Sequence, residues 1–199
     1  MPPKPKLTEA DFKNAALWLD VPVAAVKAFE EVESRGEGFL PDGHPVILFE
    51  RHIMYRLTKA KYGFTRADAW VKQFPDIINP KAGEYGKTSA QPGRMDKAAK
   101  LIDRECALES ASWGLFQIMG FHWKALGYPS LQAFVNCMYH SEGDQLEAFV
   151  RFIKINPAIH KALKSKDWAA VAKGYNGPNY KINSYDTKLA AAFARHSTA

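Results

Sequence analysis

A glutamate at the end of an amphipathic helix is the residue best placed for acid–base chemistry in this sequence. Glu33 precedes Gly36 and Gly38, which favour a sharp turn. At about 100° per residue, Glu33 leans toward an apolar helical stripe, where burial raises the pKa of a carboxyl group and keeps it able to donate a proton. The stripe consists of Pro22, Ala25, Val26, Phe29 and Val32. This pattern predicts a general acid at the edge of a cleft, with a solvated glutamate as the alternative.

Two further carboxylates are candidates to assist Glu33. Asp42 lies in a Pro-Asp-Gly turn, and Glu50 follows the short apolar run 45–49. Glycosidases commonly pair a protonated carboxyl with a second carboxylate, which stabilises an oxocarbenium-like transition state or activates water. For Glu50, an ion pair with a neighbouring arginine is an equally good interpretation. The identity of the second carboxylate stays open at this point.

Amide and aromatic groups suited to binding sugars occur in two later segments. Gln117 lies in the apolar segment 110–120, which is bracketed by glycines. Tyr175, Asn176 and Tyr180 lie around a glycine- and proline-containing turn. A buried amide satisfied by backbone groups is the alternative role for Gln117. These side chains are the predicted contacts for a glycan.

The elements that must position these residues are mainly helical. Thr8 and Asp11 form a capping-box pattern at the start of the first helix. Only the segment 45–49 has a convincing β pattern, and we expect the segment 57–93 to be irregular apart from one short helix. Apolar periodicity predicts helices near 8–19, 22–33, 66–73, 94–109, 130–140, 142–155, after Pro157, at 166–173 and at 185–195. The pattern indicates an α+β domain, mainly helical, with a small β patch after the helix that carries Glu33.

Size and charge restrict the class of protein further. The chain has 199 residues, of which 47% are hydrophobic, so one domain over residues 8–199 is expected, after a flexible segment 1–7 rich in proline and lysine. The net charge of +6 favours an anionic polymer or surface as partner. No nucleic-acid-binding motif supports a nucleic acid as that partner. No apolar stretch is long enough for membrane insertion, and the sequence shows no secretory signal peptide.

The two cysteines do not suggest catalysis or metal binding. Cys106 and Cys137 each lie within an apolar helical pattern, without a CxxC motif or a histidine at metal-ligand spacing. We interpret them as buried thiols rather than as a disulfide, a metal site or a nucleophile. No metal or cofactor is expected.

Four segments taken together resemble the N-acetylmuramidase domain of bacteriophage endolysins. They are Val32 to Phe39 with the Asp42-Gly43 pair, Ile47 to His52, Ser110 to Gly120, and Tyr175-Asn176-Gly177. The resemblance extends from about residue 8 to residue 195. It implies a lysozyme-like fold and cleavage, without a cofactor, of the β-1,4 bond between N-acetylmuramic acid and N-acetylglucosamine in peptidoglycan.

A more distant resemblance assigns roles to individual residues. Glu33-Ser34, Gly114 to Ile118 and Tyr175-Asn176 are similar to elements of goose-type lysozymes and lytic transglycosylases. In those relatives the glutamate is the acid and the other two elements line the sugar cleft. This implies that Glu33 is catalytic and that Gln117, Tyr175 and Asn176 bind substrate.

Other residues of the resembling segments complete the expected site. Asp42 has the spacing to Glu33 that many phage-type lysozymes show, but Leu48 replaces the threonine that usually follows. Ser112 and His52 belong to the shared motifs, and with Tyr180 we assign them to substrate binding, although a histidine more often packs or forms hydrogen bonds.

The residues allow three functional hypotheses. In the first, a hydrolase uses Glu33 as acid, with water assisted by Asp42 or Glu50. In the second, Glu33 alone acts as acid and then base, as in lytic transglycosylases, and an anhydromuramic product forms. In the third, the chain is a non-catalytic glycan-binding or structural phage protein.

The endolysin resemblance also implies where the protein acts. We expect a monomer that accumulates in the cytoplasm of the infected bacterium. It would meet the glycan strands of peptidoglycan only after a holin permeabilises the inner membrane.

Overall fold

The computed structural model describes residues 3–33, 37–178 and 180–198. Ser34 to Gly36 and the side chain of Glu33 lie outside the described part of the chain. Within the described residues, eleven α-helices pack with a sheet of three short strands. The first part of the chain forms α1 (Glu9–Leu19), α2 (Val23–Glu33), β1 (Ile47–Phe49), α3 (Arg51–Tyr62), α4 (Phe64–Gln73), α5 (Gln91–Leu101) and α6 (Arg104–Glu109). The second part forms β2 (Ala111–Trp113), β3 (Ile118–Met119), α7 (Leu131–His140), α8 (Glu142–Lys154), α9 (Pro157–Ser165), α10 (Trp168–Asn176) and α11 (Tyr185–Ser197). Short 3-10 helices occur at Thr88–Ala90, Gly120–His122 and Tyr180–Asn183.

The sheet is antiparallel and joins segments that are distant in sequence. The strands lie in the order β1-β2-β3, with Ile47 opposite Trp113 and Ser112 opposite Met119. Sequence analysis found only the first strand. Strands β2 and β3 contain three and two residues, which is too short for an alternating pattern to be visible. The fold class, mainly helical with a small β patch, is confirmed.

One predicted helix is divided in the structure, and one helix was not predicted. The helix expected over 94–109 is divided into α5 and α6, because the side chain of Asp103 accepts a hydrogen bond from the backbone N–H of Cys106 and starts a new helix. Helix α3 was not predicted, and because it extends to Tyr62 the segment 57–93 is less irregular than expected. The other predicted helices are confirmed to within a few residues, and the capping box of Thr8 and Asp11 is present.

An aromatic cluster ties α2 to the C-terminal helices. The ring centroid of Phe29 lies 4.9 Å from that of Phe149 in α8 and 5.3 Å from that of Tyr175 in α10. Phe116, in the β2–β3 connection, stacks on Phe149 at 4.8 Å. Phe29 lies one helical turn before Glu33, so this cluster fixes the end of α2 against α8 and α10.

Asp103 anchors α6, which leads directly into β2. Burial opposes ionisation of this carboxyl, but hydrogen bonds from Cys106 N–H, the Tyr62 hydroxyl and the Lys61 ammonium outweigh that effect and lower its pKa to about 2. A lowered pKa in the folded state stabilises the protein above the unfolded-state pKa of about 4, and this contribution disappears as the pH falls toward 2.

We expect Asp103→Asn to lower the free energy of unfolding by about 1 kcal/mol at pH 7 and by much less at pH 3, because the Asn side chain still caps the helix but lacks the charge. Urea denaturation at the two pH values measures the difference. Asp167→Asn is the matched control, since Asp167 is an exposed N-cap residue of α10 whose carboxylate accepts from Ala170 N–H. An equal loss at both pH values would contradict the electrostatic explanation.

Candidate active site

A cleft of about 600 Å³ brings together residues from both ends of the chain. Three parts of the chain line it, which we call the first wall (residues 37–41 with β1), the floor (the β2–β3 connection) and the second wall (α10 and α11). The described lining residues are Glu37, Phe39, Leu40, Pro41, Val46, Ile47, Leu48, Thr88, Ser112, Gly114, Leu115, Phe116, Gln117, Tyr175, Asn176 and Tyr185. Four of the predicted substrate-binding residues, Ser112, Gln117, Tyr175 and Asn176, therefore lie in one concave surface.

The Gln117 amide is held rigidly in this cleft. Its backbone has a φ of 50°, in the left-handed region. The Ser112 hydroxyl donates to Gln117 Oε1 at 2.8 Å, and Gln117 Nε2 donates to the carbonyl oxygen of Gly114 at 2.8 Å. These bonds agree with the predicted alternative of an amide satisfied by nearby backbone and side-chain groups, and the residue also lines the cleft.

Tyr175 combines a structural contact with exposure to the cleft. Its hydroxyl donates to the carbonyl oxygen of Phe116 at 2.7 Å, and its ring packs against Phe29 and Phe149. Asn176 follows it at the end of α10. The α10 terminus is thus fixed to the same turn that carries Gln117.

Helix α2 ends with the predicted acid, Glu33, but the side chain of this residue lies outside the described part of the chain. Ala25, Val26 and Phe29 of the predicted stripe are buried and Val32 is partly buried, whereas Pro22 is exposed. Glu33 is the last residue of α2. Its side chain, on which the predicted role depends, lies outside the described residues.

Asp42 lies beside the cleft rather than in its described lining. It lines a smaller adjoining pocket of about 240 Å³, and its side chain is 64% exposed. A hydrogen bond from the backbone N–H of His44, at 3.1 Å, and contact with the His44 ring lower the pKa of this carboxyl. Asp42 is therefore ionised near neutral pH.

Glu50 and His52 form a separate cluster at the start of α3. Glu50 Oε2 lies 3.1 Å from His52 Nδ1, and Glu50 also contacts the Tyr85 hydroxyl. Burial, together with Glu50, raises the pKa of Tyr85. The Glu50 carboxylate thus lies against a histidine ring rather than forming the ion pair with an arginine that we considered. Neither Glu50 nor His52 is among the described lining residues of the cleft.

Tyr180 occupies a different environment from the one expected for a surface sugar contact. It is buried at the start of the 3-10 helix Tyr180–Asn183 and is not among the described cleft-lining residues.

Sequence analysis did not select several residues that line the cleft. Glu37 is the one carboxylate among the described lining residues, and Thr88 and Tyr185 contribute polar groups. The glycines that flank Glu37 in the sequence, Gly36 and Gly38, are the signal that could have identified it, since a carboxylate between two glycines after the helix that carries Glu33 is well placed to face a cleft. Tyr185 had no such signal.

Metal ligands and cysteines were the other candidate reactive groups in the described part of the chain. This part contains no group of three or more His, Cys, Asp or Glu side chains able to hold a metal ion. Cys106 and Cys137 are free; burial raises the pKa of Cys106 to about 12 and raises that of Cys137. None of the helices described has the length and apolar character to cross a bilayer.

Comparison with known proteins identifies the class of enzyme. A family model described as Muramidase, N-acetylmuramidase, matches residues 22–197. The chain belongs to the N-acetylmuramidase family, and it is a glycosidase that degrades peptidoglycan.

A solved structure supports the same assignment. The chain is similar to the Burkholderia AP3 phage endolysin, with 51% sequence identity and a TM-score of 0.93, over 100% of this chain and 74% of that one. Comparison with curated protein sequences gives no significant match. The predicted resemblance to the N-acetylmuramidases of phage endolysins is thereby confirmed.

Proposed function

We propose that this enzyme is a phage endolysin that cleaves the β-1,4 bond between N-acetylmuramic acid and N-acetylglucosamine, with Glu33 as general acid. The observation that carries the proposal is the cleft in which Ser112, Gln117, Tyr175 and Asn176 converge next to the segment that continues from α2. A mixed apolar and amide lining suits a sugar chain, because apolar groups cover the faces of the rings while amides bind hydroxyl and acetamido groups.

In the proposed reaction Glu33 donates a proton to the glycosidic oxygen as the bond to the anomeric carbon breaks. The positive charge that develops on the sugar is relieved either by a carboxylate or by an attacking water. Gln117, held by Ser112 and Gly114, and the α10 terminus with Tyr175 and Asn176 orient the sugar, since their own positions are fixed by hydrogen bonds to the protein.

Three described carboxylates are candidates for the assisting role, and their surroundings rank them. Glu37 lines the cleft, Asp42 lines the adjoining pocket and is ionised, and Glu50 contacts His52 and Tyr85. Glu37 and Asp42 flank the same cleft wall, so we place them ahead of Glu50. His52 and Tyr180 contribute to substrate binding only if a longer glycan reaches beyond the described cleft.

The product distinguishes a hydrolase from an enzyme that uses Glu33 alone. We expect mass spectrometry of digested peptidoglycan to show muropeptides with a reducing N-acetylmuramic acid, because a carboxylate beside the cleft can activate water. A product lighter by one water, the anhydro form, would instead assign the reaction to the transglycosylase type.

The carboxylate variants extend this test. We compare kcat on soluble glycan strands for Glu37→Gln, Asp42→Asn and Glu50→Gln. The assisting residue is the one whose amide variant has a kcat about 100-fold or more below that of the wild type. Wild-type rates in all three variants, together with an anhydro product, would favour the single-carboxylate mechanism.

The remaining features of the proposal concern where and how the enzyme acts. Peptidoglycan is the substrate of the family, and the net charge of +6 assists adsorption to an anionic wall. We infer that the enzyme acts as a monomer with one catalytic domain over residues 8–199. As an endolysin it would reach the wall from the host cytoplasm after holin action.

A further inference from the structure

Two backbone segments that line the cleft are both bound to one buried side chain of α8. Gln145 is completely buried. Its Oε1 accepts from the backbone N–H of Leu115 at 2.7 Å, and its Nε2 donates to the carbonyl oxygens of Met138 at 2.9 Å and Gly38 at 3.3 Å. Leu115 lies in the cleft floor, and Gly38 lies between two residues of the cleft wall.

A second buried side chain of α8 binds the same wall. Glu142, the first residue of α8, is only 4% exposed. Its carboxylate accepts from the backbone N–H of Gly38 at 3.0 Å, from Lys6 Nζ at 3.0 Å and from the backbone N–H of Leu7 at 3.2 Å. Helix α8 therefore contacts both polar groups of the Gly38 backbone: Glu142 accepts from its N–H, and Gln145 donates to its carbonyl oxygen, which also accepts from the backbone N–H of Val46 at 2.9 Å.

Close packing leaves this arrangement little freedom. A Cβ atom added at Gly38 would overlap Gln145 Oε1, and one added at Gly114, whose φ is 70°, would overlap the same amide group. Gly38 and Gly114 thus let two backbone segments approach a single amide. An interior packed this tightly transmits a change at Gln145 to both segments rather than absorbing it.

We propose that Gln145, supported by Glu142, is a positioning residue for catalysis, which sets the separation between the cleft wall at residues 37–39 and the floor that carries Gln117. The inference rests on the proposed function, because it concerns how the general acid is aligned with the bound glycan. Neither side chain lines the cleft, so both act through the backbone of residues 37–39 and 114–117. Alignment within a fraction of an ångström is what such a reaction needs, and a displacement of about 1 Å can cost about 100-fold in rate.

The test compares Gln145→Met with the wild type on soluble glycan strands, at a temperature well below both melting temperatures. Methionine keeps the length of the side chain but removes all three hydrogen bonds. We expect kcat to fall by about 10-fold or more while KM changes by less than about threefold. The basic limb of the pH profile of kcat/KM, which reports ionisation of the general acid, should also shift.

Ile153→Ala is the matched control, since Ile153 is a fully buried residue two turns further along α8. The substitution lowers stability but leaves the hydrogen bonds of Gln145 and Glu142 in place, so its kcat and pH profile should stay close to those of the wild type. A wild-type kcat and pH profile in Gln145→Met, or equal changes in Ile153→Ala, would overturn the inference.

If Gln145→Met does not fold, Glu142→Gln tests the positioning role instead. This variant keeps the shape of the side chain and removes the charge that holds Gly38 N–H, and we expect the same type of change in kcat, by a smaller factor. Unchanged kinetics in folded Glu142→Gln would then overturn the inference. Glu33→Gln is measured in parallel, so that the two hypotheses can fail separately. Full activity in Glu33→Gln would refute the role of Glu33 as general acid. An inactive Glu33→Gln together with normal kinetics in Gln145→Met would refute only the positioning role of Gln145.

Discussion

Glu33→Gln is expected to lower kcat on peptidoglycan by about 100- to 10,000-fold, with little change in melting temperature. Glutamine matches glutamate in size but has no acidic proton to give to the leaving oxygen. The measurement is loss of turbidity of cell-wall suspensions, together with kcat on soluble glycan strands and thermal denaturation of both proteins.

Glu31→Gln provides the matched control for this substitution. Glu31 lies two residues earlier in α2, and its carboxylate pairs with Arg195 and, at 2.9 Å, with His196 Nε2 in α11. Its loss removes a partly exposed ion pair and should leave kcat near the wild-type value. Full activity in Glu33→Gln would remove Glu33 from the mechanism.

Phe149→Ala should have the largest effect on stability, a loss of about 3–5 kcal/mol in the free energy of unfolding. The ring is completely buried and lies within 6 Å, centroid to centroid, of Phe29, Phe116 and Tyr175. Its removal leaves a cavity between α2, the β2–β3 connection and α10. Urea denaturation measures the loss.

Phe64→Ala is the control for Phe149→Ala, because the Phe64 side chain is 58% exposed and contacts the Lys59 ammonium at the surface. We expect it to cost less than about 1 kcal/mol. If Phe149→Ala were no more destabilising than this surface substitution, the aromatic cluster would not be the link that holds α2 to the C-terminal helices.

Sequence reasoning succeeded where the signal is local. Helices α7, α8 and α9 have apolar periodicity, and Thr8 and Asp11 have a recognisable spacing. The division between α5 and α6 was missed because apolar spacing from Met95 to Cys106 continues across the break. The N-cap Asp103 was the local evidence against one continuous helix.

The candidate site was harder to predict from the sequence, because its contacts join residues that are far apart along the chain. Gln117, Tyr175 and Asn176 were found through motifs, whereas nothing local marks Gln145 among the polar residues of α8. Its bonds to Gly38 and Leu115 span 107 and 30 residues of chain. Strands β2 and β3 show the same limit, since two or three residues form a strand only because another strand pairs with them, β1 with β2 and β2 with β3.

The cleft draws on segments from the first fifth of the chain to its last helix, and this has a consequence during synthesis. While Tyr175 and Tyr185 are still to be translated, the groove lacks an entire side, although the residue proposed to donate the proton emerged long before. A nascent or prematurely terminated chain therefore has no complete site in which to hold a glycan. Wall-degrading capacity therefore arises only after α10 and α11 have been synthesised.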